Sequence, residues 1–137
     1  MRPVWAFDLD GTLIGSVRVD VLRPHAVELL SRLVDGGATC VLWSAGGAEY
    51  ARRQAERHGI ADFFSAFYDK DGRDEAARYT VDHFAADHRP HVFVDDSPRD
   101  VPDAFEIIAV PQFIGGNPSD GGLCAILERI AGPGVGT

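Results

Sequence analysis

Five short apolar runs punctuate the chain, at residues 4–9, 38–43, 63–68, 91–94 and 106–110. Runs this short, with little alternation of polar residues, predict strands buried on both faces, as in a parallel sheet. Between them the spacing turns helical. After Arg23-Pro24, the residues Val27, Leu29, Leu30, Leu33 and Val34 form one apolar stripe, and Gly36-Gly37 stops it. A second helix is predicted over 48–58, with Gly59 as its stop. A third is predicted over 73–87, with Ala77, Val81 and Phe84 on one face, and a last over 123–130. A short helical turn is expected between the fourth strand and Phe105, and residues 132–137 are expected to fray. One stretch alternates with period two, where Val17, Val19 and Val21 are interleaved with Arg18 and Asp20 behind Gly15-Ser16. A flap beside the first strand's end and a surface ribbon remote from any site fit that pattern equally well.

Strand and helix alternate from end to end. That order predicts an α/β, three-layer, Rossmann-like fold with a five-stranded parallel sheet, helices on both faces and a small flap hairpin, in a single domain over residues 1–137. The length suits one domain with a real core. Hydrophobic residues make up 45% and charged residues 25%, as in ordinary globular chains. No apolar run is long enough to span a membrane, and Met1-Arg2-Pro3 leaves no room for a signal peptide before the first strand, so a cytoplasmic protein is expected. Cys40 and Cys124 lie in apolar surroundings and read as buried free thiols. The formal net charge of −8 excludes a general nucleic-acid-binding surface. Among the basic residues, Lys70 is the single lysine, and every other one is arginine.

Chemistry gathers where the strands stop. The first run ends in Asp8-Leu9-Asp10-Gly11-Thr12, the second in Ser44-Ala45, the third in Asp69-Lys70, and the fourth in Asp95-Asp96. Parallel strands bring such ends to one edge of the sheet, the edge where open α/β folds hold ligands. A carboxylate cluster, a hydroxyl and one cation suit Mg²⁺ together with a phosphoryl group.

These residues resemble the motifs of the haloacid dehalogenase-like superfamily. The signature D-x-D-G-T is present at Asp8–Thr12, Ser44 matches the second motif, Lys70 the third, and Asp95-Asp96 with Asp100 the fourth. Arg73 and Arg78 lie near enough in sequence to compete with Lys70. Neither interval that holds a cap in this superfamily, Asp10 to Ser44 or Ser44 to Lys70, is long enough here for a cap domain. With Leu22-Arg23-Pro24-His25, the layout looks most like the small phosphatases related to carboxy-terminal-domain phosphatases, which more often carry Glu where this chain has Gly11.

The resemblance implies an aspartyl-phosphate phosphatase. Asp8 is then the nucleophile and Asp10 the general acid and base. Ser44 and the Ala45 N–H hold a phosphoryl oxygen, and Lys70 neutralises charge. Asp8, Asp10 (through its carbonyl), Asp96 and Asp95 hold Mg²⁺, and Asp100 orients waters or the surrounding loop. An open site is expected, suited to a phosphorylated small molecule, protein or nucleic-acid end, with homo-oligomerisation as another way of closing it. Trp43, Arg18 and Arg23 are candidate substrate contacts, with core packing an equal account of Trp43. Competing readings are a polynucleotide-end phosphatase, a non-catalytic metal- or phosphopeptide-binding module, and a phosphotransferase or mutase. The five histidines show no ligand pairing; His83 and His88 are spaced poorly for one helix face.

Overall fold

The structure is a computed structural model and describes residues 2–102 and 105–131. Its sheet has strand order β3-β2-β1-β6-β7, built from β1 (Val4–Asp8), β2 (Thr39–Ser44), β3 (Phe64–Asp69), β6 (Val92–Asp95) and β7 (Glu106–Ala109), all parallel. Two short strands, β4 (Asp71–Arg73) and β5 (Tyr79–Thr80), form a separate antiparallel hairpin. The helices are α1 (Ala26–Asp35), α2 (Ala48–Arg57) and α3 (Cys124–Ile130). Among the described residues no helix is long and apolar enough to cross a membrane.

Adjacent strand residues face opposite sides, and the two cores follow from that alternation. Trp5, Phe7, Cys40, Leu42, Val92 and Val94 pack under α1, α2 and α3. Val4, Ala6, Val41, Trp43 and Phe93 face the other side, beneath Val81, Phe84 and Val101. All three helices therefore cover one face, and the expectation of helices on both faces is corrected. The second face is covered by Tyr79 of β5 and by Val81, Phe84 and Val101 from the loop segments that follow β5 and β6.

The helix expected over 73–87 does not form. Asp74 Oδ1 accepts the N–H groups of Ala76 and Arg78, and Ala77 adopts a left-handed φ of 64°, which turns the chain back on itself. The aromatic face beneath supplies the reason. Tyr79 and Phe84 both meet Trp43 edge-on, and Phe84 stacks on Tyr68 at 3.9 Å. Val81 and Phe84 are buried as their spacing suggests, but from a folded loop rather than a helix stripe.

The period-two stretch after Leu13 forms no ladder. Its loop is closed by one antiparallel bridge, Ile14 to Leu22. Ser16, Val17 and Arg18 instead donate backbone N–H groups to Phe113 and Ile114, tying this loop to the 111–122 loop. Val17 and Ile114 remain 73% and 56% exposed. The expected helical turn before Phe105 is the 3₁₀ turn at 98–100. Cys40 is buried and Cys124 partly so, and both are free thiols. The fraying expected over 132–137 lies outside the described residues.

Candidate active site

Register aligns the carboxyl ends of the strands. Asp8 pairs with Trp43, Ser44 with Asp69, and Phe7 with Val94 one step before Asp95. By strand alternation Asp8, Trp43 and Asp95 thus project to the same side across β1, β2 and β6. Lys70, the residue after β3, folds over this row. Its Nζ lies 2.9 Å from Asp8 Oδ1, 3.2 Å from Asp95 Oδ2 and 4.9 Å from the centre of the Trp43 ring. The Lys70 N–H also donates to the Ser44 carbonyl at 3.0 Å, fixing where the side chain starts. Arg73 and Lys70 point to different partners. Arg73 stacks on Tyr79 at 3.9 Å and bonds the Ala77 carbonyl, while Lys70 alone of the three reaches Asp8.

Oxygens of Asp8, Asp95 and Asp96 lie within 4.8 Å of one another. Three carboxylates so close, against one ammonium, leave an excess of negative charge that a hard divalent cation would offset. The Asp10 carbonyl accepts no hydrogen bond from the described residues, so its lone pairs are available to such an ion. The donor set is all oxygen, as Mg²⁺ requires. Thr12 braces the cluster from below. It is fully buried; its hydroxyl donates to Asp8 Oδ2 at 2.8 Å and accepts the Asp96 N–H at 3.1 Å. Asp95 is held by the Ser97 N–H at 2.8 Å.

Electrostatics follow from burial. Desolvation, with Asp95 alongside, pushes the Asp8 carboxyl well above the ordinary range, against the pull of Lys70. Burial raises Asp95 to about 6, with Lys70 opposing. Burial disfavours the Lys70 ammonium, but Asp8 and Asp95 together outweigh it and its pKa rises. Burial also raises Asp10, partly offset by a 2.9 Å hydrogen bond from the Tyr50 hydroxyl. Tyr50 itself is raised to about 12, by burial and by Asp10.

Ser44 is buried and Ala45 exposed at the start of the turn into α2. Ser44 Oγ accepts the Gly46 N–H at 3.0 Å, which leaves the hydroxyl hydrogen free to donate. Asp69 accepts the N–H of Ala48, the first residue of α2. Asp100 closes a turn through its backbone, donating to the Ser97 carbonyl, and among the described residues no hydrogen bond joins its side chain to the cluster.

Of the suggested substrate contacts, Trp43 and Arg23 are buried and Arg18 is exposed. Trp43 is wholly buried among Tyr79, Phe84 and Phe93. Arg18 is exposed and pairs with Asp20. Arg23 is buried: its Nε meets Asp120 Oδ2 at 2.6 Å, and its other nitrogens bond the carbonyls of Gly11, Thr12 and Pro111. It clamps the signature loop to the 111–122 loop and has no surface left for a ligand. Gly11 explains the departure from Glu. It holds φ 85°, and a methyl there would collide with the Asp96 carboxylate.

Sequence reading assigns no role to Thr12 or Tyr50, and gives Arg23 the part of a substrate contact rather than of a clamp. Thr12 was visible as the last letter of the signature; the partners of Arg23 and Tyr50 are too distant in sequence to leave a local signal. A cavity of about 700 Å³ lies at the opposite strand ends, among Val4, Thr39, Pro90 and His91, and has no carboxylate cluster in its lining.

A family model described as NLI interacting factor-like phosphatase matches residues 4–132. Among solved structures, the chain is similar to an uncharacterized protein from Listeria monocytogenes serotype 4b, with a TM-score of 0.58 and 18% identity over 79% of this chain and 78% of that one. That likeness shows the fold alone. No curated protein matches the sequence.

Proposed function

The chain belongs to the family of NLI interacting factor-like phosphatases, a haloacid dehalogenase-like family, and on that premise we propose that it is a Mg²⁺-dependent phosphomonoesterase working through an aspartyl-phosphate on Asp8. The observation that carries this reading is the Lys70 ammonium, shared between Asp8 and Asp95 at the carboxyl edge of the sheet. A buried cation against the attacking carboxylate offsets the repulsion that a phosphoryl group meets on approach.

The chemistry divides into two displacements. In the first, an Asp8 oxygen bonds to phosphorus as the bond to the leaving oxygen breaks, and Asp10 delivers its proton to that oxygen. In the second, Asp10 takes a proton from water. The water oxygen bonds to phosphorus, the Asp8–phosphorus bond breaks, and inorganic phosphate leaves with Asp10 protonated again. The Ser44 hydroxyl and the Ala45 N–H hold a phosphoryl oxygen through both steps. Asp8, Asp95, Asp96 and the Asp10 carbonyl would hold Mg²⁺, which when bound would supply positive charge that keeps these carboxylates ionised and draws charge from the phosphoryl oxygens. Short intervals on either side of Ser44 leave no cap over the site, which favours large or varied phosphorylated substrates.

The experiment measures phosphate release from p-nitrophenyl phosphate with Mg²⁺ and with EDTA, for the wild type and for Asp8→Asn. Mg²⁺-dependent release that Asp8→Asn lacks, in a variant with an unchanged circular dichroism spectrum, is expected. Release by Asp8→Asn at the wild-type rate would remove Asp8 as nucleophile.

A further inference from the structure

One polar contact in the site is made by a residue to which no part of the reaction has been given. Tyr50, half-buried on the first turns of α2, donates its hydroxyl to Asp10 Oδ1 at 2.9 Å. Among the described residues no hydrogen bond reaches the other carboxyl oxygen, Oδ2. The Tyr50 ring is itself held in place. It lies over the turn that follows Ser44, so close that a methyl on Gly46 would stand 2.7 Å from the ring carbon Cδ2. Gly46 has no left-handed backbone requirement, so its lack of a side chain answers to the ring.

We infer that Tyr50 is a positioning residue for proton transfer: by occupying Oδ1 and packing on Gly46, it fixes the Asp10 carboxyl with Oδ2 toward the scissile phosphoester oxygen. The inference rests on the phosphatase reading above. In a carboxylic acid one oxygen carries the proton and the other accepts hydrogen bonds. A phenol on Oδ1 therefore places the proton on Oδ2, where it is delivered as the phosphorus–oxygen bond breaks. In the second displacement the same arrangement leaves Oδ2 to receive the proton of water. The phenol is neither consumed nor ionised. The contact also couples two loops, since one ring touches the turn that holds the phosphoryl oxygen and bonds the group that protonates the leaving oxygen.

A role in protonation differs from a role in shape by its dependence on the leaving group. p-Nitrophenolate departs readily without a proton; a simple alkoxide does not. General acid catalysis is worth ~10²–10⁴-fold, so loss of orientation in Tyr50→Phe should lower kcat/KM for an alkyl phosphate ~10-fold or more and for p-nitrophenyl phosphate less than ~3-fold. Gly46→Ala, which pushes the ring aside without removing a polar group, should reproduce the pattern, and the double variant should lose little more than either alone.

An equal loss on both substrates, or none on either, in folded Tyr50→Phe and Gly46→Ala proteins overturns the positioning role while leaving the phosphatase reading intact. Absence of Mg²⁺-dependent turnover of either substrate by the wild type overturns both.

Discussion

Lys70 Nζ stands 2.9 Å from Asp8 Oδ1, joining the end of the edge strand β3 to the end of the central strand β1 over the face of Trp43. The ammonium is boxed by two carboxylates and two aromatic rings, with its side chain only 5% exposed. Replacing it with Met removes the one cation touching Asp8 among the described residues. kcat/KM on an aryl phosphate should fall by about 10²-fold or more, the scale of losing a preorganised charge in a site. Lys70→Arg should recover little, because a planar guanidinium does not fit a box shaped for a point charge. Activity of Lys70→Met within a few-fold of the wild type would show that the ammonium has only a structural part.

Asp8 and Asp95 hold protons more tightly in the metal-free fold than in an unfolded chain, Asp95 with a pKa of about 6. For a carboxyl raised on folding, the stability it contributes is fully present below its unfolded pKa and is lost as pH rises through the folded one. In EDTA this site should therefore destabilise the protein as pH climbs from near 4 past 6, opposite in sign to ordinary acid unfolding. Asp95→Asn should remove much of that slope. Mg²⁺ should raise Tm near neutral pH, where the cluster is ionised and unbalanced, and less near pH 5. Thermal melts of both proteins at the two pH values, with EDTA and with Mg²⁺, read the effect directly. Parallel melting curves for wild type and Asp95→Asn across this range would refute it.

Arg23 carries a prediction about stability. Its guanidinium is buried and bonds Asp120 together with three backbone carbonyls. Arg23→Gln leaves those acceptors unpaired and should cost about 3–5 kcal/mol in urea unfolding, the range for breaking a buried pair from one side. Asp120→Asn, nearer the surface, should cost less. A double-mutant cycle should give a coupling of about 1 kcal/mol or more. Burial opposes ionisation of Asp120, but the hydrogen bonds from Arg23 and the Gly122 N–H, with the nearby Arg23 charge, together outweigh it and lower its pKa, so this pair's contribution should weaken as pH falls through that lowered value. Additive single mutants would mean that the two residues act apart.

What the sequence revealed and what it hid divide along physical lines. β1, β2 and β6 were legible because both their faces are buried, so nearly every position is apolar, and their carboxyl ends stand out as the first polar residues after the run. Asp8, Ser44, Asp95 and Asp96 stand at that break, and Lys70 follows the half-exposed edge strand β3. The segment 73–87 misled because Ala77, Val81 and Phe84 have helical spacing, while the chain was shaped by what lay under it. Trp43 and Tyr68 call for Tyr79 and Phe84 from a loop that can bend to both. Arg23 reads as a candidate substrate contact because arginine is mostly found at the surface. Its partner Asp120 is 97 positions away, and only the fold brings the two together.

The solitary lysine has a use outside catalysis. In this sequence Lys70 carries the single ε-amino group, since every other basic side chain is a guanidinium or an imidazole. An amine-directed reagent thus has one side-chain target in the chain, and that target lies inside the carboxylate cluster of the candidate site. Acylation of Lys70, followed by mass spectrometry of its peptide, becomes a gauge of site occupancy that needs no substrate turnover. Any ligand that fills the cluster should slow the labelling.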